Sequence, residues 1–277
     1  MAFISEDDIE QAILAKLKSE AFGYNVIICD SDPAHKEDLN DGTGRSSKKM
    51  CVLPDILKAQ LRKLNPNIPQ EKLDEIYRDL TADFTESDLV SKNYVLYKKI
   101  RDYVKVDFRK DGKPTFELAK LVDFDNPENN DFTAVSQMWI QGRYGWRRPD
   151  ILIFVNGLPL VFIELKNGIV KLQEAYNKNL QDYKKTIPNL FAFNQICVLS
   201  NGLETKLGAF NATFDYFFEW LKASEDDKPN RKAIQEEGVS ANYFVDGLLH
   251  KKNLIDYVEN FVLFYNQKIK IRKKKDK

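Results

Sequence analysis

The spacing of hydrophobic residues predicts a helical amino-terminal part of the chain. Ser5 is followed by acidic residues that complete a capping box at Asp8, and apolar side chains then recur on one helical face. Two further helices are expected, the first with a proline in its opening turn. They run from Pro54 to Leu64 and from about Pro69 to Leu80. The polar residues 31–49 predict a mobile surface loop.

Apolar and β-branched runs dominate the middle of the chain and predict strands. These strands cover residues 25–29, 104–108, 116–124, 132–141 and 196–199, with a hairpin before the last of them. Helical spacing returns at 170–185 and at 252–266, whereas the polar residues 223–239 predict a loop. We interpret the aromatic residues of 210–220 as core rather than as a platform for stacked bases.

This order of elements predicts an α/β fold, because strands followed by a strand–helix–strand unit build a mixed sheet. Four or five strands are expected, with helices on both faces. A chain of 277 residues, 43% of them hydrophobic, can bury one core. We expect one domain over 1–266, in which residues 1–100 are helical, 101–222 hold the sheet and 240–266 form a terminal helix. A basic tail, 267–277, follows.

The hairpin carries charges at its open end. Apolar runs flank Asn156-Gly157, a dipeptide that strongly favours a two-residue turn. Asp150 opens the first run, and Glu164 and Lys166 close the second. Charges in buried strands are costly unless they are paired or bind a metal. The hairpin therefore predicts two carboxylates and an ammonium in one place, although a half-buried hairpin with solvated Glu164 and Lys166 is the simpler alternative.

Strand register tests whether the two carboxylates can meet. With a regular two-residue turn, Val155 would face Leu158, and Asp150 and Glu164 would project from opposite faces of the sheet. A shared site therefore requires a three-residue loop or a β-bulge between 155 and 164. Pro159 favours such an irregularity because proline supplies no donor to the strand ladder.

Two carboxylates and a lysine suit metal-assisted hydrolysis of phosphodiesters. Mg²⁺ prefers oxygen ligands and keeps several waters, so two carboxylates and a backbone carbonyl suffice to hold it. A zinc site is disfavoured because the chain has only two histidines, His35 and His250. Lys166 lies on the same strand face as Glu164 and could orient the attacking water.

Composition adds little to this picture. The chain has 42 basic and 42 acidic side chains, so its net charge does not indicate nucleic acid. Basic residues are instead concentrated in the tail, as a solvated linker or a DNA contact, and before the hairpin at Arg143, Arg147 and Arg148. Three scattered cysteines suggest reduced thiols, and no secretory signal or long apolar run occurs. We expect a soluble, cytoplasmic protein with no membrane partner.

Residues 147–167, RRPDILIFVNGLPLVFIELKN, contain a pattern similar to the PD-(D/E)xK nuclease motif. This string resembles the amino-terminal endonuclease domain of the R (HsdR) subunit of type I restriction enzymes. Further similar blocks are the opening helix and residues 64–66, 122–132, 200–202 and 252–264. The resemblance covers nearly the whole chain and implies a PD-(D/E)xK restriction-endonuclease-like mixed sheet flanked by helices.

The resemblance also implies roles for individual residues. Asp150, Glu164 and the backbone carbonyl of Leu165 would bind Mg²⁺, and Lys166 would be the catalytic lysine. Glu10 would approach the metal from the first helix, although Glu6 is close by and a helix-dipole role for Glu10 is the alternative. Where the family has Gln-x-x-x-Tyr, this chain has Asn179 and Tyr183 on one helix face, and Tyr183 could instead be a core aromatic.

The resemblance implies duplex DNA as substrate, cut without intrinsic sequence specificity, and methylation and specificity subunits as partners. Arg143, Arg147 and Arg148 would contact phosphates, or two of them would brace the fold. ATP would serve only motor domains that lie outside this chain, since the segment from Gly42 to Lys48 lacks the ending of a phosphate-binding loop. Two alternatives remain open: a non-catalytic docking or DNA-binding module, and a repair or junction nuclease of the same fold.

Overall fold

The computed structural model describes residues 5–82, 88–224, 226–228 and 230–264. A sheet of seven strands forms its centre, in the order β1-β4-β7-β8-β9-β10-β11. The pairs β1–β4 and β8–β9 are parallel and the others are antiparallel, which makes the sheet mixed as predicted. These strands are β1 (Asn25–Ile28), β4 (Phe132–Ser136), β7 (Ile151–Val155), β8 (Leu158–Leu165), β9 (Ile196–Ser200), β10 (Thr205–Gly208) and β11 (Phe218–Glu219).

Four further strands form two small ribbons outside the central sheet. The predicted strands at 104–108 and 116–124 pair with each other and lie outside the central sheet. The predicted strand 132–141 is broken, because the backbone turns at Gln137. The ribbons consist of β2 (Val104–Lys110) with β3 (Lys113–Ala119) and of β5 (Ile140–Gly142) with β6 (Gly145–Arg147).

Helices cover both faces of the central sheet, as expected. Along β7, Ile151 and Ile153 pack into one apolar cluster with the first and last helices, whereas Leu152 and Phe154 pack into a second cluster with the helix that follows β8. The helices are α1 (Glu6–Lys18), α2 (Pro54–Leu64), α3 (Gln70–Thr81), α4 (Leu89–Arg101), α5 (Leu172–Glu174), α6 (Gln181–Thr186), α7 (Pro188–Phe191), α8 (Arg231–Glu237), α9 (Ser240–Leu248) and α10 (Lys251–Asn260).

Two terminal features differ from the sequence-based prediction. The segment 223–239 is not all loop, because α8 forms within it and buries Ile234. The single terminal helix expected from 240 to 266 is two helices, α9 and α10, and the basic tail 267–277 lies outside the described residues. The capping box of α1 and the bounds of α2 are confirmed.

The segment 31–49 is anchored rather than a mobile surface loop. Arg45 and Lys48 are buried, and each donates to a carboxylate oxygen of Asp41 over 2.8 Å. Arg45 also donates to the carbonyl of Trp139, which ties the segment to the end of the central sheet. Burial alone would raise the pKa of Asp41, but its hydrogen bonds with Lys48 and Thr43 and the charge of Arg45 lower it. A buried ion cluster therefore fixes this connection.

Candidate active site

The β7–β8 hairpin has a regular turn and an irregular stem. Val155 pairs with Leu158 around Asn156 and Gly157, which both have positive φ angles, 52° and 79°. Below the turn the register shifts, because Phe154 pairs with Pro159 whereas Ile153 pairs with Val161. Leu160 is therefore the extra residue of a β-bulge. The predicted irregularity is confirmed as a bulge, not as a three-residue loop.

The bulge brings Asp150 opposite Glu164. Ile151 pairs with Ile163, so the next residue of each strand, Asp150 and Glu164, lies on the same face of the sheet. An Asp150 carboxylate oxygen accepts a hydrogen bond from the backbone N–H of Leu165 over 2.7 Å. The ends of β4, β8 and β9 and the start of β7 meet at this edge, where several polar side chains converge.

Both carboxyl groups of this pair are difficult to ionise without a cation. Burial, and then the negative charge of Glu164, raise the pKa of Asp150 to about 8. Burial also raises the pKa of Glu164, whose side chain is 2% exposed. One Glu164 oxygen accepts two hydrogen bonds, whereas the other, Oε2, is buried without a partner among the described residues. The pair is therefore a ready acceptor of positive charge.

Lys166 supplies a positive charge to the pair. Its ammonium lies 2.9 Å from Glu164 Oε1 and 2.5 Å from the backbone carbonyl of Leu165, and Glu6 is 3.5 Å away. Burial alone would lower the pKa of Lys166, but the charges of Glu164, Asp150 and Glu6 outweigh it and raise the pKa. The ammonium thus contacts both a carboxylate oxygen of Glu164 and the carbonyl oxygen of Leu165.

The helix behind the hairpin is widened where it approaches Glu164. Between α5 and α6, residues Ala175–Leu180 form a π-helix, an irregularity that is frequent at functional sites. Within it, the Asn179 amide donates to Glu164 Oε1 over 2.6 Å. The Asn179 side chain therefore reaches the carboxylate, although it is one carbon shorter than the glutamine of the family motif. Gln181 does not donate there, and its amide nitrogen is buried without a partner among the described residues.

Tyr183 is both a core residue and a neighbour of the site. Its ring packs edge-on against Phe162 at 5.2 Å, and its side chain is only 8% exposed. The hydroxyl donates to the backbone carbonyl of Arg148 over 2.9 Å, two residues before Asp150. Burial, and then the charges of Glu164 and Asp150, raise the pKa of Tyr183 well above its ordinary value. The hydroxyl therefore remains protonated and holds the start of β7.

The first helix brings two carboxylates towards the site. Glu6 pairs with Lys166, and its other oxygen accepts from the N–H of Asn167 over 3.3 Å. Glu10 is 6% exposed, and its charge raises the pKa of Asp150 after the larger effects of burial and Glu164. No group of three His, Cys, Asp or Glu side chains close enough to share a metal occurs among the described residues. Glu10 is therefore a neighbour of the carboxylate pair rather than a third member of it.

Sequence patterns did not indicate Ser136 and Gln137, which bind Glu10. The Ser136 hydroxyl donates to one oxygen of Glu10, and the Gln137 amide donates to the other over 2.6 Å. Both residues lie in what the alternating pattern predicted as an uninterrupted strand. A signal that could have found them is weak: a polar Ser-Gln pair interrupts an otherwise apolar run.

The three arginines before the hairpin have different surroundings. Arg147 binds Asp182 of α6 over 2.5 Å, and Arg148 donates to the carbonyl of Ser31 over 2.7 Å while lying over the ring of Trp139. Arg143 lies over the ring of Tyr144 near the exposed tip of the β5–β6 ribbon. Two of the three therefore brace the fold, and the third is on the surface.

Comparisons with known proteins converge on one family. A family model described as type I restriction enzyme R protein N terminus matches residues 3–216. The HindI type I restriction enzyme endonuclease subunit of Haemophilus influenzae is 36% identical over 94% of this chain and 24% of its own length. The putative MjaIXP endonuclease subunit of Methanocaldococcus jannaschii is 27% identical over 97% of this chain and 26% of its own length. The chain thus spans about a quarter of these relatives.

Proposed function

The chain belongs to the type I restriction enzyme R protein N-terminal family, and we propose that it is a Mg²⁺-dependent DNA endonuclease domain. The observation that carries this proposal is the bulged hairpin, which places Asp150 opposite Glu164. The Lys166 ammonium contacts the Glu164 carboxylate in the same place. Desolvated carboxylates with a lysine form a cation site in which a phosphodiester can be attacked by water. Membership in the family supports the substrate class.

The donor set fits a hard divalent cation. Asp150, Glu164 and the Leu165 carbonyl would hold Mg²⁺, with Glu10 close by, and all of these donors are oxygens. When bound, Mg²⁺ would polarise the phosphate and lower the pKa of a water molecule. Glu164 Oε2 has no hydrogen-bond partner within bonding distance among the described residues, which is consistent with this role, because a buried carboxylate oxygen is costly without a partner.

The remaining residues of the site position groups and supply fixed charge. The Lys166 ammonium stays protonated and can orient the attacking water or neutralise charge that develops on the phosphate. Asn179 fixes one oxygen of Glu164, and Tyr183 fixes the strand that carries Asp150. The replacement of the family glutamine by Asn179 therefore does not by itself indicate a degraded, non-catalytic docking module.

Specificity and assembly belong to the proposal as well. We expect cleavage of duplex DNA without intrinsic sequence specificity, since bases would be read by a specificity subunit in complex with methylation subunits. ATP-driven motor domains would lie in the part of the relatives that this chain does not span. Arg143 is the candidate for phosphate contact among the three arginines, because its side chain is exposed at the tip of the β5–β6 ribbon. No helix in the described ranges is long and apolar enough to cross a membrane.

Nicking of supercoiled plasmid tests this proposal. The chain should nick plasmid DNA with Mg²⁺ and not with excess EDTA, and Glu164→Gln should lower the rate at least about 100-fold, because a neutral amide binds Mg²⁺ poorly. Glu219→Gln is the matched control, since Glu219 is a buried carboxylate of β11 that pairs with Arg231. Equal nicking by the parent and the Glu164 variant, or nicking that persists in EDTA, would contradict the proposal.

The Asn179 contact predicts a smaller effect on the same assay. Asn179→Ala removes the amide donor from Glu164 Oε1, and groups that orient metal ligands typically contribute 10- to 100-fold. We expect about tenfold slower nicking at limiting Mg²⁺. Asn179→Gln should give no gain over the parent, because the amide already lies 2.6 Å from the carboxylate. An unchanged rate in Asn179→Ala would show that the contact has no role.

A further inference from the structure

Gln137 has an unusual backbone conformation at the edge of the site. Its φ angle is +58°, in the left-handed region that residues other than glycine rarely adopt. The backbone N–H of Gln137 donates to the carbonyl of Asp150 over 2.9 Å. Such conformations persist only where the surroundings impose them, and they cluster at functional sites. The turn directs the Gln137 side chain towards Glu10 of the first helix.

Only the nitrogen of the Gln137 side-chain amide has a hydrogen-bond partner among the described residues. Its amide nitrogen donates to Glu10 over 2.6 Å, and because a carboxylate only accepts, this contact fixes which end of the amide is the nitrogen. The amide oxygen, Oε1, is buried and has no partner among the described residues. An unpaired buried acceptor is costly, so its retention calls for an explanation.

Gln137 is connected to the carboxylate pair through its backbone and through Glu10. The backbone of Gln137 is bonded to Asp150, and its side chain is bonded to Glu10, whose charge acts on the Asp150 carboxyl. Both oxygens of Glu10 are already engaged, one by Ser136 and one by Gln137. Glu10 is thus fixed near the pair. It does not join Asp150 and Glu164 in a group of three carboxylates close enough to share a metal, since the described residues contain no such group.

We propose that Gln137 is a positioning residue that fixes Glu10 beside the metal site and accepts a hydrogen bond from the hydration shell of the ion. This inference rests on the proposed function. Mg²⁺ keeps several of its waters in protein sites, and those waters need acceptors beyond the direct ligands. Gln137 Oε1 is an acceptor that no described residue occupies, and Glu10 adds negative charge. Glu10 would then act on Mg²⁺ through water rather than as a direct ligand.

Binding of Mn²⁺ to the DNA-free chain, measured by electron paramagnetic resonance of the free ion, tests this role. Gln137→Asn should bind Mn²⁺ about tenfold more weakly than the parent, in line with groups that support metal ligands. Asparagine tolerates a left-handed φ, so this variant should remain folded although its amide is one carbon too short. Gln137→Ala should show a loss of the same size. In nicking assays both variants should need about tenfold more Mg²⁺ and approach the parent rate at saturation.

Gln60→Ala is the matched control, because Gln60 also has a buried, unpartnered amide oxygen but lies on α2, against the turn end of the hairpin. Its Mn²⁺ affinity should equal that of the parent. Parent-like affinity in both Gln137 variants, or an equal loss in Gln60→Ala, would overturn the role of Gln137 and leave the proposed function intact. A parent that nicks DNA in EDTA and binds no Mn²⁺ would overturn both.

Discussion

Lys166→Ala is expected to slow Mg²⁺-dependent plasmid nicking by about 1,000-fold while the protein remains folded. Among the described residues, Lys166 is the only lysine that forms an ion pair with Glu164 or Asp150. Its pKa is raised, so its positive charge is permanent at the site. Removal of that charge leaves the attacking water and the developing phosphate charge without a fixed electrostatic partner. Rates of nicking at saturating Mg²⁺ measure the effect.

The Lys166 variant needs a control for general loss of positive charge. Lys178→Ala serves, because Lys178 is next to Asn179 in the π-helical segment but is 76% exposed and forms an ion pair with Glu174. Its nicking rate should match that of the parent, since an exposed ion pair contributes little. Circular dichroism and thermal unfolding establish that both variants are folded. A Lys166→Ala protein that nicks DNA as fast as the parent would refute a catalytic role for this lysine.

Asp150→Asn is expected to separate stability from activity. The variant should lose Mg²⁺-dependent nicking by at least about 100-fold, because it replaces a carboxylate ligand by an amide. In metal-free buffer at pH 8, however, it should be more stable than the parent, because a neutral amide avoids the desolvation penalty of the Asp150 carboxylate. The amide oxygen can still accept the hydrogen bond from Leu165.

The pH dependence gives the sign of this effect. The pKa of Asp150 rises from 3.8 to about 8 on folding, so the folded state binds the proton more tightly than the unfolded chain. The protonated carboxyl carries no charge penalty below pH 4, and the penalty grows as the pH rises from about 4 to 8. The metal-free parent should therefore lose stability over this window relative to Asp150→Asn. Chemical unfolding in EDTA at several pH values measures it.

Asp123→Asn provides a control of opposite sign. Burial would raise the pKa of Asp123, but hydrogen bonds from Asn129 and Lys120 outweigh it and lower the pKa. Its charged form is therefore favoured in the folded protein, and Asp123→Asn should destabilise the protein at neutral pH.

Added Mg²⁺ should raise the melting temperature of the parent and not of Asp150→Asn, because a ligand stabilises only the state that binds it. Equal stability of parent and Asp150→Asn at pH 8 would contradict the argument.

The sequence was informative wherever a local rule had one physical outcome. The Asn-Gly turn requires positive φ angles, and carboxylates on opposite faces cannot share an ion, so either a three-residue loop or a bulge could be predicted, and the structure has the bulge. The α2 helix and the capping box followed from equally local chemistry. The family resemblance, confirmed by the family model, supplied the rest of the candidate residues.

Features that depend on distant contacts could not be predicted. The strands β10 and β11 are short, and the pairing of β10 with β9 and of β11 with β10 decides their conformation rather than any alternation of their own. Helix α8 buries only Ile234, so its polar sequence resembles a loop. The burial of Arg45 against the Trp139 carbonyl and the left-handed turn at Gln137 both depend on neighbours from other parts of the chain.

Because Leu160 is an extra residue on β8, the site depends on whether the number of residues between Asp150 and Glu164 is odd or even. Because side chains alternate along a strand, deletion of Leu160 would rotate Asp150 to the opposite face of the sheet from Glu164 while the apolar composition of the hairpin stayed almost the same. Evolution can therefore change the length of this hairpin only in steps of two residues, or else gain or lose a bulge, if the carboxylates are to remain together. The number of residues between the two carboxylates is thus constrained as well as the carboxylates themselves.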